Sequence, residues 1–262
     1  MAKVIILALV QGLTEFLPIS SSGHLALVNH FFSPTADGFF LAVFLHGGTL
    51  LSTLVFFQKD IFKLVRGLFK PETDGASRYY LSAIAIGTLP VIFFGLFLEK
   101  WAEKTFVSLP LLTITFLFTG LILALASLKK SESLSALNLP RAFGIGLAQL
   151  VAILPGISRS GTTISAGLMS GLSRPEAFRF SFLLSLPAVL AAFIIELYRG
   201  MKLGVAVPGA ILAAGFCISF FSGLLALFSL RRIVISGRLI WFSFYLLALG
   251  IILNFLSVSQ KI

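Results

Sequence analysis

Residues 11–24 read QGLTEFLPISSSGH, and the fold follows from how that stretch is read. A carboxylate, three consecutive serines, a glycine and a histidine stand inside an otherwise apolar N-terminal region. Gln11 and Glu15 are four residues apart, which on a helix sets both side chains on one face. Pro18 ends that helix, because its ring clashes with the preceding turn. Ser20, Ser21 and Ser22 follow, and each can cap a new helix. Gly23 lets the backbone come close to a ligand, and His24 falls in the first turn of the new helix. The expected layout is helix, polar hairpin, helix.

A second stretch echoes the first. Residues 154–161 read LPGISRSG against LPISSSG at 17–23. Each has Leu-Pro, then an Ile, then a serine cluster closed by glycine, and the two lie about half the chain apart. In the later copy Arg159 takes the place of the middle serine. The sequence predicts two related polar hairpins, one per half, built to meet.

The 262 residues are 58% hydrophobic and 11% charged, with a mean hydropathy of +1.04; a soluble domain averages about 25% charged. The chain reads as an integral membrane protein. Its net charge of +10 fits Lys and Arg gathered in cytoplasmic loops beside anionic headgroups, so no nucleic-acid partner is expected. Cys217, the one cysteine, lies in an apolar run and reads as a packing residue. The N-terminus mimics a signal peptide. However, Gln11 and Glu15 follow at once with no small-x-small cleavage site before them, so it is expected to be retained.

A spanning helix needs about 20 apolar residues. Six stretches qualify: 38–57, 80–98, 106–128, 180–198, 205–230 and 239–258. Residues 1–32 and 142–171 are apolar but broken by their Pro-Ser-Gly hairpins, which leaves arms too short to span comfortably. Such arms fit re-entrant helix pairs, tolerated at membrane depth where protein or a water-filled cavity satisfies the broken backbone. The expected fold is an all-α integral membrane protein with a single membrane domain over 1–262. It has six transmembrane helices plus two re-entrant helix-hairpin pairs. Three spans per half is an odd number, so the second half must enter from the opposite face. The halves are then inverted-topology repeats, about 1–128 and 142–258, with a binding site near the midplane.

The loops at 58–79, 129–141, 172–179 and 231–238 carry 13 Lys and Arg, against 6 on the other side. The positive-inside rule puts the first group in the cytoplasm and both termini outside. The first hairpin then dips in from outside and the second from the cytoplasm. Prolines 90, 110, 187 and 208 kink or start helices. The 58–79 stretch, with Pro71 and Gly75, reads as a solvated surface connection.

Glu15 is the only acid in the broken arms, and a charge at that depth signals function. Glu196, one turn from Arg199, reads as an interfacial ion pair. The planar fork of Arg159 suits phosphate. Ser158, Ser160, Thr162, Thr163 and the backbone N–H groups from 160 to 163, Gly161 among them, add donors for an anion. Arg159 also reads as a neutralising partner for Glu15, and the two roles are compatible. His24, beside three hydroxyls, is a candidate base or nucleophile. His30 reads as a surface residue. His46, in FLHGGTL, either lines a cavity or bonds to a neighbouring helix. Walker A, HExxH, any Cys/His cluster and G-x-S-x-G are absent from the sequence, so no nucleotide, haem or zinc site is expected. The remaining set of Glu, Ser, His and Arg at membrane depth suits an anionic, lipid-linked substrate, with phosphate leading.

QGLTEFLPISSSGH resembles the Glu/Gln-x-x-x-Glu plus P-x-S-S-x-G-H signature of the undecaprenyl-diphosphate phosphatase family, the bacitracin-resistance phosphatases. LPGISRSGTT resembles that family's second motif, P-G-x-S-R-S-G-x-T. The resemblance covers nearly the whole chain. It implies a membrane hydrolase that converts undecaprenyl diphosphate to undecaprenyl phosphate and inorganic phosphate, recycling the carrier for cell-wall synthesis and conferring bacitracin resistance. It also implies a homodimer in the bacterial cytoplasmic membrane with its site facing outward, and a polyisoprenyl diphosphate as partner in the bilayer. Glu15 takes the position linked to metal binding or water activation, with Mg2+ or Ca2+ as the implied cofactor. Ser20, Ser21 and His24 match the hairpin's catalytic residues, with Gln11, Ser22 and Gly23 beside them. Ser158, Arg159, Ser160 and Thr163 match the phosphate-binding loop. Two positions depart from the pattern: Gln11 stands at the first acid position, and His46 where a Gln is expected. The sequence does not choose between Ser21 and His24 as nucleophile; the favoured reading is Ser21 with His24 as its base. The rival reading is a transporter or flippase of a lipid-linked phosphate using the same midplane site.

Overall fold

Pro18 leaves Leu17 extended at φ −61° and ψ 142°, because the residue before a proline is driven out of the helical region. The first helix therefore stops at Phe16. The computed structural model describes residues 1–32, 38–69, 75–105, 108–129, 136–202 and 208–259; within these, the side chains of 29–32, 38–40, 96, 98–105 and 258–259 are left aside, and His30 is among them. The described residues form eleven helices and no strand: α1 Ala2–Phe16, α2 Ser21–Phe32, α3 Gly38–Phe56, α4 Gln58–Phe69, α5 Gly75–Thr105, α6 Leu109–Ser127, α7 Leu139–Val151, α8 Arg159–Met169, α9 Arg174–Lys202, α10 Gly209–Ile235 and α11 Ile240–Ser259. Five are long and apolar enough to cross a membrane, and the bent pair α3–α4 raises that to six.

The two polar stretches break their helices in the same way. Ser20 caps α2, its Oγ accepting from Gly23 N at 3.3 Å. Ser158 caps α8, its Oγ accepting from Gly161 N at 3.1 Å. Gly156 turns the second hairpin at φ +87°, a conformation that costs glycine nothing. The tips meet: a Cβ on Gly23 would press on Phe116 and on the Gly156 backbone, and one on Gly161 would touch Pro18.

Helix pairing is reciprocal. α1 packs on α10 while α7 packs on α5; α3 packs on α10 while α5 packs on α9. α6 pairs with α11, and α3 with α9. Close approach needs small residues: a Cβ on Gly12 would run into Ser222 of α10, and one on Gly146 into the carbonyl of Gly87. Serine hydroxyls tie helices to neighbouring backbones, Ser52 Oγ to Phe220 O at 2.8 Å and Ser219 Oγ to Leu45 O at 3.0 Å between α3 and α10, and Ser243 Oγ to Gly120 O at 2.7 Å between α11 and α6. Small and hydroxylated residues at helix contacts are what lipid favours, since apolar surface gains little there by leaving lipid for protein. Phe16, Phe116, Phe180 and Phe182 fill the centre, whereas Phe93, Phe221, Trp241 and Phe255 face outward.

Of the 58–79 stretch, expected as a solvated surface connection, residues 58–69 continue α3 through a 71° bend into α4, and 70–74, Pro71 among them, lie outside the described residues. Leu64 and Gly67 of α4 are buried, Phe62, Val65 and Phe69 are exposed, and Lys59, Lys63 and Arg66 occupy a further face. The charges hid a helix whose buried stripe is narrow. The expected loops at 99–105, 172–179 and 231–238 likewise shrink, because α5 runs to Thr105, α9 begins at Arg174 and α10 runs to Ile235. Most basic residues here lie inside the helices rather than beyond their ends. Pro90 and Pro187 lie inside helices, and Pro110 and Pro208 at helix starts.

Candidate active site

Glu15 sits on the last turn of α1, and among the described residues each hydrogen bond to its carboxylate comes from a residue of the two motifs. Its Oε1 accepts from Arg159 Nη2 at 2.5 Å. Its Oε2 accepts from Ser21 Oγ at 2.5 Å and from Gln11 Nε2 at 3.0 Å. The ion pair is mostly buried, with side-chain exposures of 12% for Glu15 and 20% for Arg159. A charge taken from water must be paired and hydrogen-bonded, and here the pairing crosses from one hairpin to the other.

A cavity of about 280 Å³ opens beside the pair. Its polar wall is Glu15, Ser20, Ser21, Ser22, Ser158, Arg159, His46 and Glu196; its apolar wall includes Ile153, Ile157, Val189 and Phe193. Val189, Ala192, Phe193 and Glu196 follow one another at helical spacing, so one face of α9 forms a side of the cavity. Ser21 and Ser22 open α2, and Arg159 opens α8, so two helix N-termini meet at the cavity. Their free N–H groups and positive dipole ends favour an anion. The volume suits a phosphorylated headgroup rather than a long lipid chain.

The motifs point to a family, and comparison with known proteins identifies it. The sequence matches the family described as bacitracin resistance protein BacA over residues 4–252. The chain belongs to the BacA family. Among its relatives are the undecaprenyl-diphosphatase of Korarchaeum cryptofilum, 40% identical over 258 residues that cover 95% of this chain and 97% of the relative. Another is that of Treponema denticola, 41% identical over 257 residues covering 95% and 94%. A third, from Carboxydothermus hydrogenoformans, is 39% identical over 264 residues covering 99% and 98%.

In this BacA-family chain the expected residues divide into two groups. Glu15, Ser20, Ser21, Ser22, Ser158 and Arg159 line the cavity. Gln11 is fully buried and steadies Glu15 from behind. Gly23 packs at the hairpin contact. Ser160 contacts Ser158 Oγ at 3.3 Å, Gly161 binds the cap, Thr162 Oγ returns to Ser158 O at 2.6 Å, and Thr163 Oγ to Arg159 O at 2.7 Å. These last four shape the α8 N-terminus from within. His24 turns the other way: Nδ1 lies 2.8 Å from Ser20 O and Nε2 2.7 Å from Tyr245 Oη. Both its nitrogens are engaged, and the Ser21 proton goes to Glu15.

His46, left open by the sequence, lines the cavity, with Nδ1 at 2.9 Å from Ala42 O on its own helix. Glu196, read as interfacial, lines it too; its place in the apolar run FIIELY was the available signal. Tyr245 was missed, since a lone Tyr in an apolar span carries no signal.

Proposed function

We propose that this protein hydrolyses undecaprenyl diphosphate to undecaprenyl phosphate and inorganic phosphate, and so recycles the lipid carrier of cell-wall synthesis. The observation that carries the reading is the Ser21–Glu15–Arg159 constellation at two converging helix N-termini. A protein that only bound or moved a lipid phosphate would use Arg159. It would have no need of a serine hydroxyl resting on a carboxylate.

The lipid tail lies in the bilayer and the diphosphate enters the cavity. Arg159 turns from Glu15 to the phosphates, where its fork and the N-terminal amides stabilise developing charge. That electrostatic contribution is usually the largest in catalysis, and phosphoryl transfer is chiefly positioning plus charge stabilisation. Ser21 Oγ attacks the terminal phosphorus and its proton passes to Glu15. The bond from that phosphorus to the bridging oxygen breaks, and lipid monophosphate leaves. Water then attacks the phosphoserine, Glu15 returns the proton to Ser21 Oγ, and phosphate departs.

A divalent cation, Mg2+ or Ca2+, fits beside this machinery. Gln11 Oε1 is buried without a hydrogen-bond partner, and with the Glu15 carboxylate it offers two protein oxygens. Magnesium commonly takes few protein ligands and completes its shell with substrate phosphates and water. It would supply charge neutralisation. Among the described residues no group of three or more His, Cys, Asp or Glu gathers around a point, so a cage made wholly of protein is not the arrangement proposed.

The fold reading belongs to the same proposal. The reciprocal pairing of α1 with α10 and α7 with α5 supports two inverted repeats, about 1–128 and 142–258, whose hairpins α1–α2 and α7–α8 are re-entrant. The protein sits in the bacterial cytoplasmic membrane as a homodimer, with both termini and the cavity outside.

The test is phosphate release from undecaprenyl diphosphate by purified protein in detergent. Release is expected from the parent and should fall to background in Ser21→Ala, Glu15→Gln and Arg159→Ala. EDTA should abolish it and Mg2+ restore it. A folded parent that releases nothing would overturn the reading.

A further inference from the structure

The contact between His24 and Tyr245 joins the first hairpin to α11, and the proposed chemistry does not use it. Ser20 O can only accept, so the His24 nitrogen 2.8 Å away, Nδ1, carries the proton. In the neutral ring Nε2 is then the acceptor for the Tyr245 hydroxyl at 2.7 Å. The two rings stack with centroids 5.7 Å apart and planes 14° apart, and the Phe116 ring meets His24 in a T-shaped contact with centroids 5.4 Å apart. Tyr245 lies outside the cavity.

The far end of this relay is Ser20, whose φ is +71°. It is the one non-glycine among the described residues with a positive φ, and it immediately precedes Ser21. Such a conformation persists only where its surroundings over-determine it. Ser20 O receives both His24 N at 3.2 Å and His24 Nδ1, while Ser20 Oγ holds Gly23 N. The brace runs from Tyr245 through His24 to the backbone that aims Ser21 at Glu15.

We propose that Tyr245 is a positioning residue: through His24 it holds Ser20 in its left-handed conformation and so keeps the Ser21 hydroxyl on Glu15. The proposal rests on the phosphatase reading. The Tyr245→Phe variant keeps the ring and removes the hydroxyl. It should lower kcat about 10-fold with KM unchanged, the scale on which outer-shell partners act, and should leave the melting temperature in detergent unchanged. In a Ser20→Gly background, where the backbone adopts a positive φ without help, Tyr245→Phe should cost little more. Four results would overturn the proposal: kcat of Tyr245→Phe within about 2-fold of the parent, where no outer-shell effect is seen; the same fall in both backgrounds; a change confined to KM; or loss of the fold, which would make Tyr245 a structural residue. An inactive parent would instead strike at the phosphatase reading, so the two failures are separable.

Discussion

Glu15 is held by Gln11 of its own helix, by Ser21 of α2 and by Arg159 of α8, so a change to any one partner reaches the others. Arg159→Lys keeps the charge but loses the planar fork that can face a carboxylate or a phosphate with two donors. Its kcat/KM for phosphate release should fall about 100-fold, within the range seen when one transition-state donor is removed. These residues were legible in the sequence because acids, arginines and serines are costly at membrane depth and stand out against Leu, Ile and Phe. The direction of His24 was not legible. It depends on Ser20 entering the left-handed region, which no propensity favours, and on a tyrosine 221 positions away. An expectation that pairs residues by nearness in sequence puts His24 on Ser21; the backbone turns it to α11.

At the scale of elements, the small residues decide which helices touch. α7 reaches α5 only because Gly146 lies against the Gly87 backbone, and α1 reaches α10 only because Gly12 lies against Ser222. Gly146→Ala pushes a methyl into a carbonyl that cannot move without its helix. Such overpacking costs about 1–3 kcal/mol, so the melting temperature in detergent should drop, while Gly144→Ala, which meets nothing within 4 Å, should not lower it, since Ala favours a helix interior over Gly. The broken arms were readable from Pro18, Pro155 and the capping serines. α4 was not, because its buried stripe is narrow and flanked by Lys59, Lys63 and Arg66. The pairing of α1 with α10 was not readable either, since a glycine's neighbour across a helix contact leaves no mark in the local pattern.

For the whole molecule, the direction in which α9 runs sets the side on which the cavity opens. The cavity uses Val189, Ala192, Phe193 and Glu196, all in the half of α9 that ends at Lys202. The opposite half carries Arg179, whose Nε donates to Asp60 of α4 at 2.8 Å and whose guanidinium lies 4.7 Å from the Tyr80 ring centroid. That end is also where α4 packs, with Lys59, Lys63 and Arg66, and where Arg174 lies against Gly237, and positive charge stays in the cytoplasm. Orientation of the charge and position of the cavity are therefore one question. In a Cys217→Ser background, Lys202→Cys should react with a membrane-impermeant thiol reagent added to intact cells, and Arg66→Cys only after the membrane is opened. The reverse pattern would put the cavity in the cytoplasm, where it would meet lipid diphosphate on the inner leaflet. The expected pattern puts Ser21 and Arg159 within reach of lipid diphosphate on the outer leaflet, because the cavity and the Lys202 end of α9 lie in the same half of the fold.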